Sequence, residues 1–268
     1  MMKMTKVLKD IKEYVVKLKE QFKARILTLK ETPKLAIVQV GNVEASNRYV
    51  KNKVKDCDEV GITAHVYAFP ENITEIELVE EVHNLNDFYD GIIVQLPLPQ
   101  HIRPSVATAA IDSSKDVDGF KLDSWHKPAT PKGIMDYLQY CEFDLTGKNV
   151  VIIGRSEIVG KPLAKLMTDA DATVTLCHSK TKNLSLHLSN ADLIVCAVGK
   201  AKFLNCYPIH VPVIDVGINF NENGKLCGDC FNIENRDVTP VPGGVGLLTR
   251  CALLDNVIRV KEVKEQYE

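Results

Sequence analysis

Apolar positions along this chain change their period several times, and each change marks an expected element. Between residues 5 and 30, Val7, Ile11, Val15, Leu18, Phe22 and Ile26 recur every three or four residues, the spacing of one helix face, with Thr5 placed to cap its start. KLAIVQVG, residues 34–41, is a short β-rich run closed by glycine. A helix is expected over 45–60, a strand in ITAHVYAF (62–69), a helix over 73–85 and a third strand in GIIVQL (91–96). The alternation resumes after Lys148. NVVIIG (149–154) is apolar on both faces, as in a strand covered by helices above and below. Residues 160–170 read as a helix, ATVTLC (172–177), ADLIVCAVG (191–199) and VPVIDVG (211–217) as strands, and a last helix runs from near Gly246 to the C-terminus. Strands alternating with helices imply parallel strands in an α/β layer structure. The pattern therefore divides into two α/β units. Their join lies between Gly119 and Leu145, where PKGIMDYL (131–138) starts a further helix.

Composition adds limits. A chain of 268 residues can form one large domain or two smaller ones, and 45% apolar with 25% charged residues is an ordinary globular balance. A net charge of −2 lacks the basic field of a general nucleic-acid binder. The lysine-rich first twenty residues hold no unbroken apolar run, so neither a signal peptide nor a membrane span is expected there, and no later segment reaches spanning length. A cytoplasmic protein with reduced thiols is the expectation for its eight cysteines. Cys227 and Cys230, in CGDC, have a spacing that can serve zinc or redox chemistry. A structural zinc needs two more ligands, and no second CxxC or HxxxH exists, which favours a plain turn around Gly228 and no metal.

A strand running into glycine and then a helix is the ground plan of a dinucleotide site, though by itself a weak match. Phosphate binding needs close backbone approach and free N–H groups at a helix N-terminus. In GRSEIVGKP (154–162), Gly154 supplies the tight turn, Ser156 and Val159 stand where the second and third glycines of GxGxxG would be, and Gly160 follows one position late. A plain strand-to-helix turn reads the same way. The next strand ends in Cys177-His178-Ser179-Lys180 without the acid that usually holds the ribose hydroxyls of NAD. Arg155 and Ser179 in its place favour a 2′-phosphate, hence NADP; solvated surface residues are the alternative.

Six segments together resemble one family. SNRYVKNKVKDCDEVG (46–61), VQLPLP (94–99), KDVDGF (115–120), TPKGI (130–134), GRSEIVGKPL (154–163) and TPVPGGVG (239–246) are similar, in order and over nearly the whole chain, to motifs of the bifunctional methylene-tetrahydrofolate dehydrogenase/cyclohydrolases. The resemblance implies two α/β domains flanking a cleft, the C-terminal one a Rossmann-like nucleotide-binding domain, with the last helix packing back on the N-terminal domain. The expected domains are 1–120 plus 250–268 for folate and 121–249 for NADP. It also implies oxidation of 5,10-methylene-tetrahydrofolate with NADP, hydrolysis of the methenyl product to 10-formyl-tetrahydrofolate, and a homodimer without nucleic-acid or membrane partners, serving one-carbon metabolism and purine biosynthesis.

Roles follow residue by residue. Ser46, Tyr49 and Lys53, spaced i, i+3, i+7, share one helix face. Tyr49 and Lys53 match the family's catalytic tyrosine and lysine, although Lys53 alone, between Lys51 and Lys55, reads more readily as a surface lysine, and it is the family register that reverses this. A charged lysine is a poor base; desolvation, nearby positive charge and the cationic methenyl product favour the neutral amine that can take a proton from water. Gln95 matches the glutamine that orients this lysine, and Asp118 the aspartate that grips the pterin. Asp116 carries no transferred role and reads as a loop residue. Pro242, Gly243 and Gly244 match a loop near the substrate. Gly154, Arg155, Ser156, Val159, Gly160, Ser179, Gly217 and Ile218 are the expected cofactor contacts.

Two departures border the implied folate pocket. The stretch between DGF and TPKGI, residues 121–129 with Trp125, is about half the family's usual length. Leu247-Leu248 stands where proline and methionine are usual. A dehydrogenase with weak or absent cyclohydrolase activity, or a shikimate-type dehydrogenase of another small substrate, are the alternative readings.

Overall fold

The computed structural model of the chain describes residues 6–230 and 237–267. It divides into two compact units, Lys17–Ala129 with Arg250–Glu268, and Met1–Val16 with Thr130–Thr249. The expected boundary at 120/121 is met by one at 129/130, and the first sixteen residues group with the nucleotide-type unit instead of the other. The physical reason is visible at Val7 and Leu8. Their N–H groups donate to Asp237 Oδ2 at 2.6 and 3.0 Å, which pins this segment in a non-helical conformation. Helix α1 therefore spans Ile11–Ile26 and starts later than its apolar pattern. Asp10 caps it: Oδ1 accepts from the N–H groups of Lys12 and Glu13 at 2.7 and 3.1 Å. Thr5, the expected cap, lies outside the described residues.

In the first unit, β1 (Lys34–Val40), β2 (Thr63–Phe69) and β3 (Gly91–Val94) form a parallel sheet in the order β2-β1-β3. The apolar runs of β1 and β3 bury nearly every residue, whereas β2 alternates at the edge. Between the strands lie α2 (Glu44–Val60), closed by Gly61 in the left-handed conformation at φ 96°, and α3 (Glu75–Asn84), opened by a reciprocal Thr74–Glu77 capping box. A short α4 (Pro104–Ala109), which periodicity did not reveal, packs Ala107 into the core with Val38, Leu78, Val82 and Ile92. The final helix, α8 (Val245–Tyr267), docks here, as the resemblance implied. Leu253, Leu254, Val257 and Ile258 are buried, and Arg25 pairs with Asp255 at 2.5 Å and Glu262 at 2.8 Å.

The second unit holds α5 (Ala129–Tyr140), β4 (Asn149–Ile153), α6 (Gly160–Asp169), β5 (Thr173–Cys177), α7 (Leu184–Ser189), β6 (Leu193–Cys196) and β7 (Val213–Asp215). Its four strands are parallel in the order β5-β4-β6-β7. The chain reverses its direction of travel across the sheet between β4 and β6, so the crevice beyond the carboxyl ends of those two strands is where a nucleotide binds in such sheets. A hairpin of β8 (Asn219–Phe220) and β9 (Leu226–Cys227), too short to show in the sequence pattern, follows β7. No described helix is long and apolar enough to cross a membrane.

Candidate active site

On the first unit, one face of α2 gathers the chemistry. Lys53 Nζ lies 3.7 Å from Asp118 Oδ2, and both side chains are only 12% exposed. One turn earlier, Tyr49 is partly exposed; burial raises its pKa, and the positive charges of Arg250 and Arg48 oppose the rise. Ser46, buried on the same face, presents an Oγ with no partner among the described residues. An orphaned buried hydroxyl is costly unless a ligand satisfies it.

Asp118 is placed by its own loop. Buried Asp116 accepts from the N–H of Gly119 at 3.2 Å and of Lys121 at 2.8 Å, folding the KDVDGF segment into a turn. Gly119 has φ +69°, and a Cβ there would sit 2.7 Å from the Pro128 nitrogen, so glycine is required. Asn256 Nδ2, from α8, donates to the Val117 carbonyl at 2.8 Å and fixes the turn from below. Asp116 is thus the organiser of the loop instead of a bystander within it. Its burial raises its pKa against the backbone donors that lower it.

Gln95 departs from its expected contact. Its Nε2 donates to the Leu96 carbonyl at 2.7 Å, its Oε1 is buried without a partner, and among the described residues it makes no bond to Lys53. The strand ends at Val94, so Gln95 leaves the sheet with its side chain folded onto the following peptide. An unfilled acceptor beside a segment rich in proline is a further place that a ligand can satisfy.

On the second unit, the glycine turn after β4 is a close-packed backbone corner. Gly154 has φ +119°, and a Cβ on it would strike the Ala197 carbonyl oxygen; a Cβ on Gly160 would strike the Gly154 carbonyl oxygen. Both glycines let α6 begin against the strand end, the arrangement that brings N–H groups to a phosphate. Ser156 turns inward: its Oγ accepts from Val159 N–H at 3.2 Å and Gly160 N–H at 3.4 Å. Arg155 is exposed, and so are Ser179 and Lys180 in the turn after β5. That turn is closed by Thr181, whose Oγ1 accepts from His178 N–H at 2.9 Å. Ile153 pairs with Cys177 in register, so Arg155 and Ser179 leave adjacent strands at the same end. Gly217 N–H donates to Asp215 Oδ1 at 2.9 Å, and Ile218 is exposed. Pro242, Gly243 and Gly244 belong to this unit. Gly243 has φ +94°, and a Cβ on Gly244 would strike the Pro240 carbonyl oxygen, so the loop is a tight backbone turn.

Comparison with known proteins decides the family. Residues 5–118 match the tetrahydrofolate dehydrogenase/cyclohydrolase catalytic domain, and residues 128–265 match the NAD(P)-binding domain of the same family. The bifunctional protein FolD of Acetivibrio thermocellus is 43% identical over 94% of this chain and 96% of its own length. The chain belongs to the tetrahydrofolate dehydrogenase/cyclohydrolase family. The crystal structure of the bifunctional enzyme FolD from Campylobacter jejuni superposes with a TM-score of 0.90 at 42% identity, over 95% of this chain and 98% of that one. A Trypanosoma brucei dehydrogenase-cyclohydrolase, complexed with NADP and an inhibitor, gives 0.89 at 29% identity over 97% and 98%.

Within this tetrahydrofolate dehydrogenase/cyclohydrolase, both sequence departures have a structural setting. The 121–129 stretch is tied down: Trp125 N–H donates to the Ser113 carbonyl at 2.9 Å and Ser124 Oγ to the Asp116 carbonyl at 3.1 Å, while the Trp125 side chain stays exposed. Leu248 is buried against Gly133 of TPKGI, where a Cβ would lie 2.7 Å from the Leu248 backbone. Sequence reasoning missed the buried carboxylates. Asp56, on the Lys53 face, meets Lys19 at 2.7 Å and also Arg250. Asp215 and Asp229 hold loops of the second unit. The signal for Asp56 was its i+3 spacing from Lys53; Asp229 offered none beyond sitting in CGDC. All eight cysteines are free; Cys227 and Cys230 are buried. Among the described residues no group of three or more His, Cys, Asp or Glu side chains is placed to hold a metal ion.

Proposed function

We propose that this chain oxidises 5,10-methylene-tetrahydrofolate to the methenyl compound with NADP and hydrolyses that product to 10-formyl-tetrahydrofolate. The observation that carries the reading is the Lys53–Asp118 pair on the face of α2 that also holds Tyr49 and Ser46, in a chain of this family. The pterin amino group and a ring N–H are a matched pair of donors for the Asp118 carboxylate. When they take its oxygens, Lys53 loses its partner and its amine is available to the water that attacks the cationic methenyl carbon. Ser46 Oγ and Gln95 Oε1, both buried and without a partner among the described residues, supply further polar anchors. Tyr49, partly exposed beside them, offers an aromatic face to the substrate's ring system.

The residues fit the nicotinamide cofactor. Gly154 and Gly160 leave room where a side chain would collide with backbone, and α6 starts there. NADP over NAD rests on the turn after β5, where Ser179 and Lys180, with Arg155 in the turn after the neighbouring strand β4, stand in place of an acid. The relative from Trypanosoma brucei that holds NADP supports the same choice. NADP supplies the hydride acceptor; the protein's part in that step is alignment, since the nitrogen lone pair of the folate drives the hydride out. Gly217 and Ile218, after β7, and Pro242 to Gly244 are read as further contacts to cofactor and folate. The domain roles follow: folate on the unit with α2, NADP on the unit with α6. The resemblance extends the reading to a cytoplasmic homodimer that serves purine biosynthesis.

The test is an absorbance assay with methylene-tetrahydrofolate and each nicotinamide, following reduced cofactor and methenyl-tetrahydrofolate together. Reduced NADP with little methenyl build-up is expected. Build-up equal to the reduced cofactor would instead mark a dehydrogenase without cyclohydrolase. No reduction of either nicotinamide would sink the proposal.

A further inference from the structure

The second unit contains a buried carboxylate that no part of the proposed chemistry uses. Asp229, wholly buried in the CGDC turn, collects five donors. Its Oδ2 accepts from the N–H groups of Val198 at 2.8 Å and Gly199 at 3.2 Å, and from Cys196 Sγ at 3.4 Å. Its Oδ1 accepts from Lys200 N–H at 2.8 Å and Asn219 Nδ2 at 3.0 Å. Asp229 is itself fixed by a second buried carboxylate. Asp215, at the end of β7, accepts from the N–H groups of Asp229 at 3.0 Å, Cys230 at 2.8 Å and Gly217 at 2.9 Å. The fit is close: a Cβ on Gly228 would strike Asp215, and one on Gly217 would strike Asp229.

The loops held in this way are informative. Residues 198–200 are exposed on their outer side, yet three consecutive N–H groups point inward to one carboxylate. They leave the end of β6, one of the two strands flanking the switch point of the sheet. Ala197, just before them, is the residue against which Gly154 packs, so this loop adjoins the glycine turn. Asn219 follows Gly217 and Ile218 and opens β8 just after β7. Burying a carboxylate is costly unless its hydrogen-bonding capacity is filled. Spending it to freeze the exposed 198–200 loop and the 217–219 loop, where Ile218 is exposed, at the mouth of one crevice is intelligible if those loops must hold a fixed shape for a ligand.

We propose that Asp229, held by Asp215, is a positioning residue that shapes the 198–200 and 217–219 loops into the wall against which the nicotinamide cofactor binds. This rests on the reading of the crevice as the NADP site. Asp229→Asn keeps the volume but sets an amide donor against donors, leaving N–H groups of the loop unpaired. NADP dissociation constant, measured by calorimetric titration, should rise about tenfold or more, the scale for leaving such groups unsatisfied. The Michaelis constant for methylene-tetrahydrofolate should stay within about twofold, because the folate residues on α2 are untouched. Amide hydrogen exchange at 198–200 should accelerate while that of β4 does not. A residue serving stability alone would lower the active fraction, hence kcat, and leave both constants unchanged. Asn219→Ala, which removes one donor to Asp229, should weaken NADP by about threefold and decides the matter if Asp229→Asn does not fold. Wild-type binding with unchanged NADP affinity in a folded variant would overturn the inference alone; absence of NADP binding by the wild type would overturn the functional reading.

Discussion

The candidate residues on the two units are made of different material. On α2 the working parts are side chains: Lys53 and Asp118 paired and nearly buried, Ser46 orphaned, Asp56 drawing Lys19 and Arg250 to the same face. After β4 the working parts are backbone: a glycine corner, a helix start and two loops whose N–H groups are tied to buried carboxylates, with Arg155 and Ser179 exposed around them. A side-chain site is damaged by losing a functional group. A backbone site is damaged by gaining an atom or by losing a distant brace.

Adding one carbon to the backbone half should therefore be the largest effect. Gly154→Ala puts a Cβ at φ +119° onto the Ala197 carbonyl oxygen. The combined strain and overlap, about 3 kcal/mol or more, should reduce NADP affinity by roughly a hundredfold or destabilise the unit outright. Retention of full affinity by titration would show that the corner is not close-packed. On the other half, Asp118→Ala removes the carboxylate but adds nothing. The Michaelis constant for methylene-tetrahydrofolate should rise by tens of fold, from loss of a pair of charge-assisted bonds worth about 1.5–3 kcal/mol together. A wild-type constant would remove Asp118 from the anchor role. Arg155→Ala tests the exposed rim. It should weaken NADP by about 1.5–3 kcal/mol and NAD far less, through loss of one phosphate contact. Equal losses for both cofactors would contradict the preference for NADP.

The smallest effect concerns the brace of the folate loop. Burial raises the Asp116 pKa above its ordinary value of 3.8. The folded state then holds that proton more tightly than the unfolded chain does. The associated stability is full below the ordinary value and is lost as pH rises through the raised one. Denaturant melts of wild type and Asp116→Asn should show wild type losing ground to the variant across that window. A pH-independent difference between the two would mean that the carboxyl titrates normally.

The same contrast explains what was legible in the chain. Periodicity located the β strands and helices that carry the motifs, because β1, β3 and β4 are apolar runs and α2 carries Ser46, Tyr49 and Lys53 at i, i+3 and i+7. It placed the start of α1 too early, because Val7 and Leu8 continue the apolar spacing while their N–H groups are committed to Asp237. Short elements such as α4, α7 and the β8–β9 hairpin fall below the length at which a period shows. The residues read as acting through their own side chains, Tyr49, Lys53 and Asp118, were picked out by motif. Asp116, Asp215 and Asp229 were not, since each acts on backbone N–H groups, and Asp229 reaches back some thirty positions to 198–200; no spacing rule encodes such a contact.

On the proposed reading, proton transfer belongs to the unit with α2 and cofactor binding to the unit with α6. Lys53→Met tests it directly, because methionine keeps length and apolar bulk but removes the amine. NADP affinity should stay at the wild-type value, dehydrogenase activity should persist in part, and methenyl-tetrahydrofolate hydrolysis should fall by roughly a hundredfold or more, the range for loss of a general base. Methenyl-tetrahydrofolate should then accumulate in the absorbance assay as reduced NADP forms. Hydrolysis at the wild-type rate by Lys53→Met, with wild type clearly above the uncatalysed rate, would contradict the account.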